Sequence, residues 1–175
     1  MKDRRGFTLI EIMIAIAIVG IVVMIGFSNL QLWVYKYNFS GFQREVLSSL
    51  KMARTLSVSS QRQHRIIFNL DNEAVTLERG NAGFNSNAWT SVRGGVTAQG
   101  GAQLGSVTPT PGVVKSSGTF ALILNPSNEV LAQSNPADVS TIAAVTQVNI
   151  ALAGRNPGDV ATIRVYGWTG KARIQ

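Results

Sequence analysis

The chain of 175 residues has no cysteine, a single histidine and no proline before Pro109. Without a thiol there is no disulfide, no thiolate metal ligand and no cysteine nucleophile. His64 has no second imidazole to share a metal or a proton relay with. No HExxH, GxSxG or Walker pattern occurs, and the later acids Asp71, Glu73, Glu78, Glu129, Asp138 and Asp159 are scattered without metal-ligand spacing. His64, beside Arg65 at the start of a strand-like run, reads as a surface or edge residue. The expectation is a protein that is not an enzyme and uses no cofactor or metal. Charged residues are scarce too, at 14% of the chain with a formal net charge of +7, so the surface must be mostly neutral and polar.

The widest gap lies in the charge map. From Ile12 to Tyr35 nothing is ionisable except the Tyr35 phenol. That run exceeds the roughly 18–20 apolar residues that span a bilayer. Glu11 stands alone at its edge, behind a basic leader of Lys2, Arg4 and Arg5. A charge in such a place is costly and implies a function and a partner.

The absence of early proline lets one helix run from about Phe7 to about Ser60. Its first part is apolar all round, as suits lipid or neighbouring apolar helices. From Lys36 it becomes amphipathic: Phe39, Phe42, Val46, Leu47, Leu50 and Ala53 recur at three- and four-residue steps, with Arg44, Lys51 and Arg54 between them. Gly20, Gly26 and Gly41 each lower helix propensity by roughly 1 kcal/mol relative to alanine, and read either as packing points or as places of local melting.

Beyond the helix the apolar period shortens to two. Ile66, Phe68 and Leu70, then Val75 and Leu77, flank Asp71-Asn72 and predict a hairpin. Residues 80–118, rich in Gly, Ser, Asn and Thr, predict a long irregular excursion, with short strands near Trp89 and Val92 and near Val96 after Gly94-Gly95. A second hairpin is expected from Thr119–Leu124 and Glu129–Gln133 across Asn125-Pro126-Ser127-Asn128. A third joins Thr146–Leu152 to Val160–Tyr166. Strands following one helix without alternation indicate α+β, a long N-terminal helix packed on an antiparallel β-sheet head. The expected organisation is a leader at 1–6, a hydrophobic transmembrane helix at 7–35, its amphipathic continuation at 36–61 and a β-rich head at 62–175.

The string Gly6-Phe7-Thr8-Leu9-Ile10-Glu11, with its basic leader and apolar helix, resembles the class III signal of type IV pilins and type II secretion pseudopilins. That resemblance implies cleavage by a prepilin peptidase between Gly6 and Phe7, N-methylation of Phe7 and the pilin fold. It implies an assembly role for Glu11, whose carboxylate would neutralise the α-amino group of Phe7 on an adjacent subunit. Residues 119–132, TFALILNPSNEVLA, and 163–174, IRVYGWTGKARI, look like elements of the GspH/FimT branch of minor pilins and pseudopilins. The implied partners are other pilin or pseudopilin subunits and an inner-membrane assembly platform. Two features depart from many pilins: there is no C-terminal disulfide, and no proline lies near Ser28.

Other readings of the N-terminus fit less well. Ala15-Ile16-Ala17 matches a secretory cleavage site, but a cut there would leave a short apolar stretch broken by Glu11. Arg4-Arg5 lacks the downstream cleavage region of twin-arginine export. An unprocessed anchor leaves Gly6 and Glu11 unexplained. The leader cations keep that end cytoplasmic, implying a single-pass inner-membrane protein with a periplasmic head before it joins a pilus or pseudopilus.

A DNA-binding alternative rests on the tail. Arg155, Arg164, Lys171 and Arg173 face one acid, Asp159, beyond residue 139. Lys171 and Arg173 would project to one side of a strand-like terminus near Trp168, suited to phosphates and to stacking on a base. Gly170-Lys171-Ala172-Arg173 is similar to the Gly-Arg-x-Arg motif of DNA-binding FimT-like pilins. Lysine in place of the first arginine keeps charge and loses the planar fork. The competing reading is a solvated basic strand end with Trp168 in the core.

Overall fold

The computed structural model describes residues 7–175, apart from the side chains at positions 25 and 27–29. The leader, with Lys2, Arg4, Arg5 and Gly6, lies outside the described residues. The chain divides into two compact units between Val34 and Tyr35. With no proline to interrupt it, helix α1 covers Leu9–Ser60.

In the first unit the apolar side chains from Leu9 to Met24 are exposed all round the helix, which is the pattern of a helix whose partners are outside its own chain. Among the described residues no helix is long and apolar enough to cross a membrane.

In the second unit α1 buries Phe39, Phe42, Val46, Leu50 and Ala53 and leaves Arg44 and Lys51 exposed. Each fully buried apolar side chain contributes about 1.5–3 kcal/mol. The helix ends without a glycine. Gln61 adopts the left-handed conformation at φ 52° usually filled by glycine after a helix, and its Nε2 donates to the Val58 carbonyl at 2.8 Å. At Gly20, Gly26 and Gly41 an added Cβ would meet nothing within 4 Å, so no contact within the chain requires these glycines.

Among the described residues ten strands form two antiparallel sheets. The first has the order β3-β2-β1-β5-β6-β7, from Trp89–Thr97, Ala74–Gly80, His64–Asn69, Thr119–Leu124, Val130–Gln133 and Ile142–Ala144. The second, β10-β9-β8-β4, uses Ala172–Ile174, Val160–Tyr166, Gln147–Ala153 and Gln103–Thr110. The buried face of α1 joins Ile66, Phe68 and Leu122 of the first sheet and Val107, Ile150 and Ile163 of the second in one core. The α+β expectation holds, and the three hairpins are β1–β2, β5–β6 and β8–β9.

The excursion at 80–118 is more ordered than its composition predicts. It holds β3, the edge of one sheet, and β4, the edge of the other. β3 is almost wholly exposed, so it carries no apolar alternation. In β4 the alternation breaks at a bulge between Leu104 and Ser106, and Pro109 is tolerated because an edge strand has one side without ladder bonds.

The sheets are tied together at Gly167. The Val130 N–H donates to its carbonyl at 2.7 Å, and its own N–H donates to the Thr146 carbonyl at 2.9 Å. Where α1 ends, a buried amide network closes the head. Gln63 Nε2 donates to Asn125 Oδ1 at 2.7 Å, Gln63 Oε1 accepts from the Ser86 N–H at 2.7 Å, and Asn125 Nδ2 donates to Glu129 at 3.0 Å.

Candidate functional site

The N-terminal site begins with a hydrogen-bonding need. The first N–H groups of α1 have no intrahelical acceptor. Thr8 and Glu11 answer this as a capping box: the Thr8 N–H donates to Glu11 Oε2 at 2.9 Å, the Glu11 N–H donates to Thr8 Oγ1 at 3.3 Å, and Thr8 Oγ1 donates to Glu11 Oε2 at 3.1 Å. The T-x-x-E spacing of this box is visible in the sequence. Both side-chain bonds fall on Oε2, so the box leaves Oε1 available. Phe7, just before it, is 85% exposed. Glu11 therefore has a role within its own helix and a second oxygen for another donor.

The tail site is built by β10. Lys171 and Arg173 are exposed on either side of the buried Ala172, so they project to the same side. Arg173 lies directly opposite Arg164 on β9. Arg164 is half-buried, and its Nε donates to Asn149 Oδ1 at 3.2 Å. Trp168 is 74% exposed rather than packed in the core. It lines a separate cleft with Glu129 and Val145, whose lining includes neither Lys171 nor Arg173.

Sequence reasoning missed the other wall of this site. Lys51, Arg54 and Thr55 of α1 face Gly170–Arg173 across an open groove of about 350 Å³. Arg54 is held there by a 3.1 Å bond from its Nε to Asn128 Oδ1, and Gly170, in the left-handed region at φ 57°, brings the backbone against its side chain. Four cations line the groove and no carboxylate does. Lys51 and Arg54 were legible only as the polar side of a helix, because nothing local to them indicates that β10 lies alongside.

His64 is not the surface or edge residue its sequence position suggested. It is 1% exposed, on the inner side of β1 opposite Leu124. Burial pushes its imidazole below the usual histidine range and the Arg79 charge adds to this, against a raising contribution from the Arg62 carbonyl. The folded ring thus resists a proton that the unfolded chain accepts near pH 6.5. Stability should be full above that value and fall as pH drops through about 6.5 towards the lower folded pKa. Urea midpoints of the full chain in detergent should decrease between about pH 7.5 and pH 5.5, and His64→Leu should flatten that dependence. An unchanged slope in the variant would assign it to other groups.

Among the described residues no group of three or more His, Asp or Glu side chains could hold a metal ion.

Comparison with known proteins places these features. The prokaryotic N-terminal methylation motif matches residues 1–27. The fold is similar to that of the minor pseudopilin EPSH from the type II secretion system of Vibrio cholerae, at 13% identity and a TM-score of 0.56, covering 79% of this chain and 94% of that one. A second structure of EpsH from the type 2 secretion system of the same organism aligns at 14% identity and a TM-score of 0.48, over 79% of this chain and 93% of that one. No curated protein matches by sequence. The chain matches the methylation motif at its N-terminus and has the fold of that minor pseudopilin, a long helix on antiparallel sheets.

Proposed function

We propose that this protein is a minor pilin or pseudopilin, a structural subunit of a type II secretion pseudopilus or a type IV pilus. In this reading prepilin peptidase cuts between Gly6 and Phe7, Phe7 is N-methylated, and α1 carries the subunit from the inner membrane into the filament. Before assembly residues 7–35 span that membrane once and the head is periplasmic. The observation that carries the proposal is the joint occurrence of the methylation motif at residues 1–27 and the fold of a minor pseudopilin. The exposed apolar ring of Leu9–Met24 supports it, since a helix without internal partners needs lipid or other helices.

A photo-crosslinking residue at Ile16 tests this in a host that makes both systems. It should give adducts with other pilin-like subunits, and with an assembly-platform protein before extraction. Adducts with lipid alone would contradict the assembly role.

The basic groove favours a second reading, DNA contact by a pilus-associated subunit. Arg164 and Arg173 are directly opposite across two strands, an arrangement that is destabilising unless an anion offsets it. Lys51 and Arg54 add charge from the helix side. With so few cations the binding would be weak and would fall steeply with salt. Gel shift at low salt should show retardation by the wild type, and much less by Lys171→Ala/Arg173→Ala or Lys51→Ala/Arg54→Ala. Equal retardation by all three removes the groove from this role.

A further inference from the structure

The loop between β8 and β9 reaches back to the start of the second unit. Arg155, from this loop, donates through its Nη1 to the Tyr35 hydroxyl at 2.6 Å, and its guanidinium lies over the Tyr35 ring at 4.5 Å from the centroid. The neighbouring β3–β4 turn converges on the same stretch. Gly100, in the left-handed region at φ 63°, sits against the Asn38 side chain, and Gly101, at φ 81°, sits against Arg155. A Cβ at Gly100 would overlap the Asn38 side chain, and one at Gly101 would crowd Arg155.

Tyr35 and Lys36 are also where the apolar sequence ends. Lys36 is the first cation after the leader, and it is exposed. Neither Lys36 nor Arg155 has a carboxylate in ion-pair range among the described residues. Among the described residues the acids of the adjoining segments form no ion pair with either cation. Asp159 accepts from Asn156 Nδ2 at 2.9 Å, and Glu73 lies on the β1–β2 turn, whose carbonyl accepts from Ala98.

Tyrosine is enriched at bilayer interfaces, and lysine and arginine extend from there to the headgroups. From this juxtaposition we propose that the β8–β9 loop is a headgroup-binding device. In the unassembled subunit Arg155 and Lys36 together hold phosphate groups of anionic lipids, with Tyr35 fixing the guanidinium at that level. Stacking on Tyr35 and one hydrogen bond occupy a face and one Nη1 donor of the guanidinium, and its remaining donors suit a phosphate oxygen. Two cations bind lipid weakly in solution. A head already tethered by its anchor does not pay for encounter, so weak contacts are enough to orient it. Departure into a filament would then exchange these lipid contacts for contacts with protein.

The inference rests on the reading of residues 7–35 as a membrane anchor, and the test separates the two. The full chain is placed in nanodiscs of phosphatidylcholine alone, or of phosphatidylcholine mixed with phosphatidylglycerol. Amide hydrogen exchange is then read for residues 98–101 and 154–159. In wild type these segments should exchange roughly fivefold more slowly in the anionic discs, the scale of one cation at an anionic surface. Arg155→Gln/Lys36→Gln should abolish that lipid dependence while leaving β8 and β9 as protected as before. The difference between lipids is the readout, since loosening of the loop alone would change both lipids equally. A chain that stays with the discs and exchanges identically in both lipids overturns the headgroup contact alone. A chain that does not remain with the discs overturns the anchor, and this inference with it.

Discussion

Replacing Glu11 with glutamine should lower incorporation into the filament by about 100-fold, as far as replacement with alanine does. Glutamine serves in a capping box nearly as well as glutamate, so Glu11→Gln keeps the bonds to Thr8. It removes the charge that would neutralise the α-amino group of Phe7 on the adjacent subunit. Breaking a desolvated pair by removing one member costs about 3–5 kcal/mol, whereas a lost cap costs about 0.5–2 kcal/mol. Thr8→Ala, which removes only Oγ1 from the box, should therefore reduce incorporation by no more than about thirtyfold, and typically by about fivefold. Quantitative blotting of sheared filaments against membrane-retained subunit checks all three variants. Wild-type incorporation of Glu11→Gln would reduce Glu11 to a helix cap.

The second large effect lies in the head. Gly167→Ala should destabilise it by about 2–3 kcal/mol, the upper part of the roughly 1–3 kcal/mol that forcing an atom into a filled site costs. A Cβ at Gly167 would overlap the Val145 carbonyl. Moving the chain away to relieve that overlap would stretch the bonds from Val130 to Gly167 and from Gly167 to Thr146, which tie the two sheets together. Nothing flexible is available to yield, because the obstacle is backbone. Denaturant midpoints of wild type and variant measure the loss. A change below about 0.5 kcal/mol, the size of an ordinary surface substitution, would mean that the Val145 segment shifts freely.

What could be read beforehand, and what could not, follows from how local each signal is. The long helix and its switch at Lys36 were legible because charge and apolar spacing are properties of neighbouring residues. The strands Thr119–Leu124 and Val160–Tyr166 were legible for the same reason, since each has a buried face. β3 was legible only in pieces, as short strands near Trp89, Val92 and Val96, because a strand exposed over most of its length has no continuous apolar alternation. The helix end near Ser60 was legible although no glycine follows it, whereas the buried position of His64 was not, since it depends on β5 and β2 pairing on either side of it.

The candidate sites divide in the same way. Gly6, Phe7 and Glu11 are a contiguous string, so the motif could be read directly, and so could the T-x-x-E box had it been sought. Lys171 and Arg173 could be placed on one side by strand alternation. The contribution of Lys51 and Arg54 required the fold, since the residues that meet across that groove are more than a hundred positions apart in the chain.

The mass of the N-terminal peptide, isolated from cells that contain the peptidase, decides whether the chain is a processed pilin-like subunit. A processed subunit starts at Phe7 with a methylated α-amino group. A chain that still starts at Met1, or one that starts beyond Ala17, would contradict it.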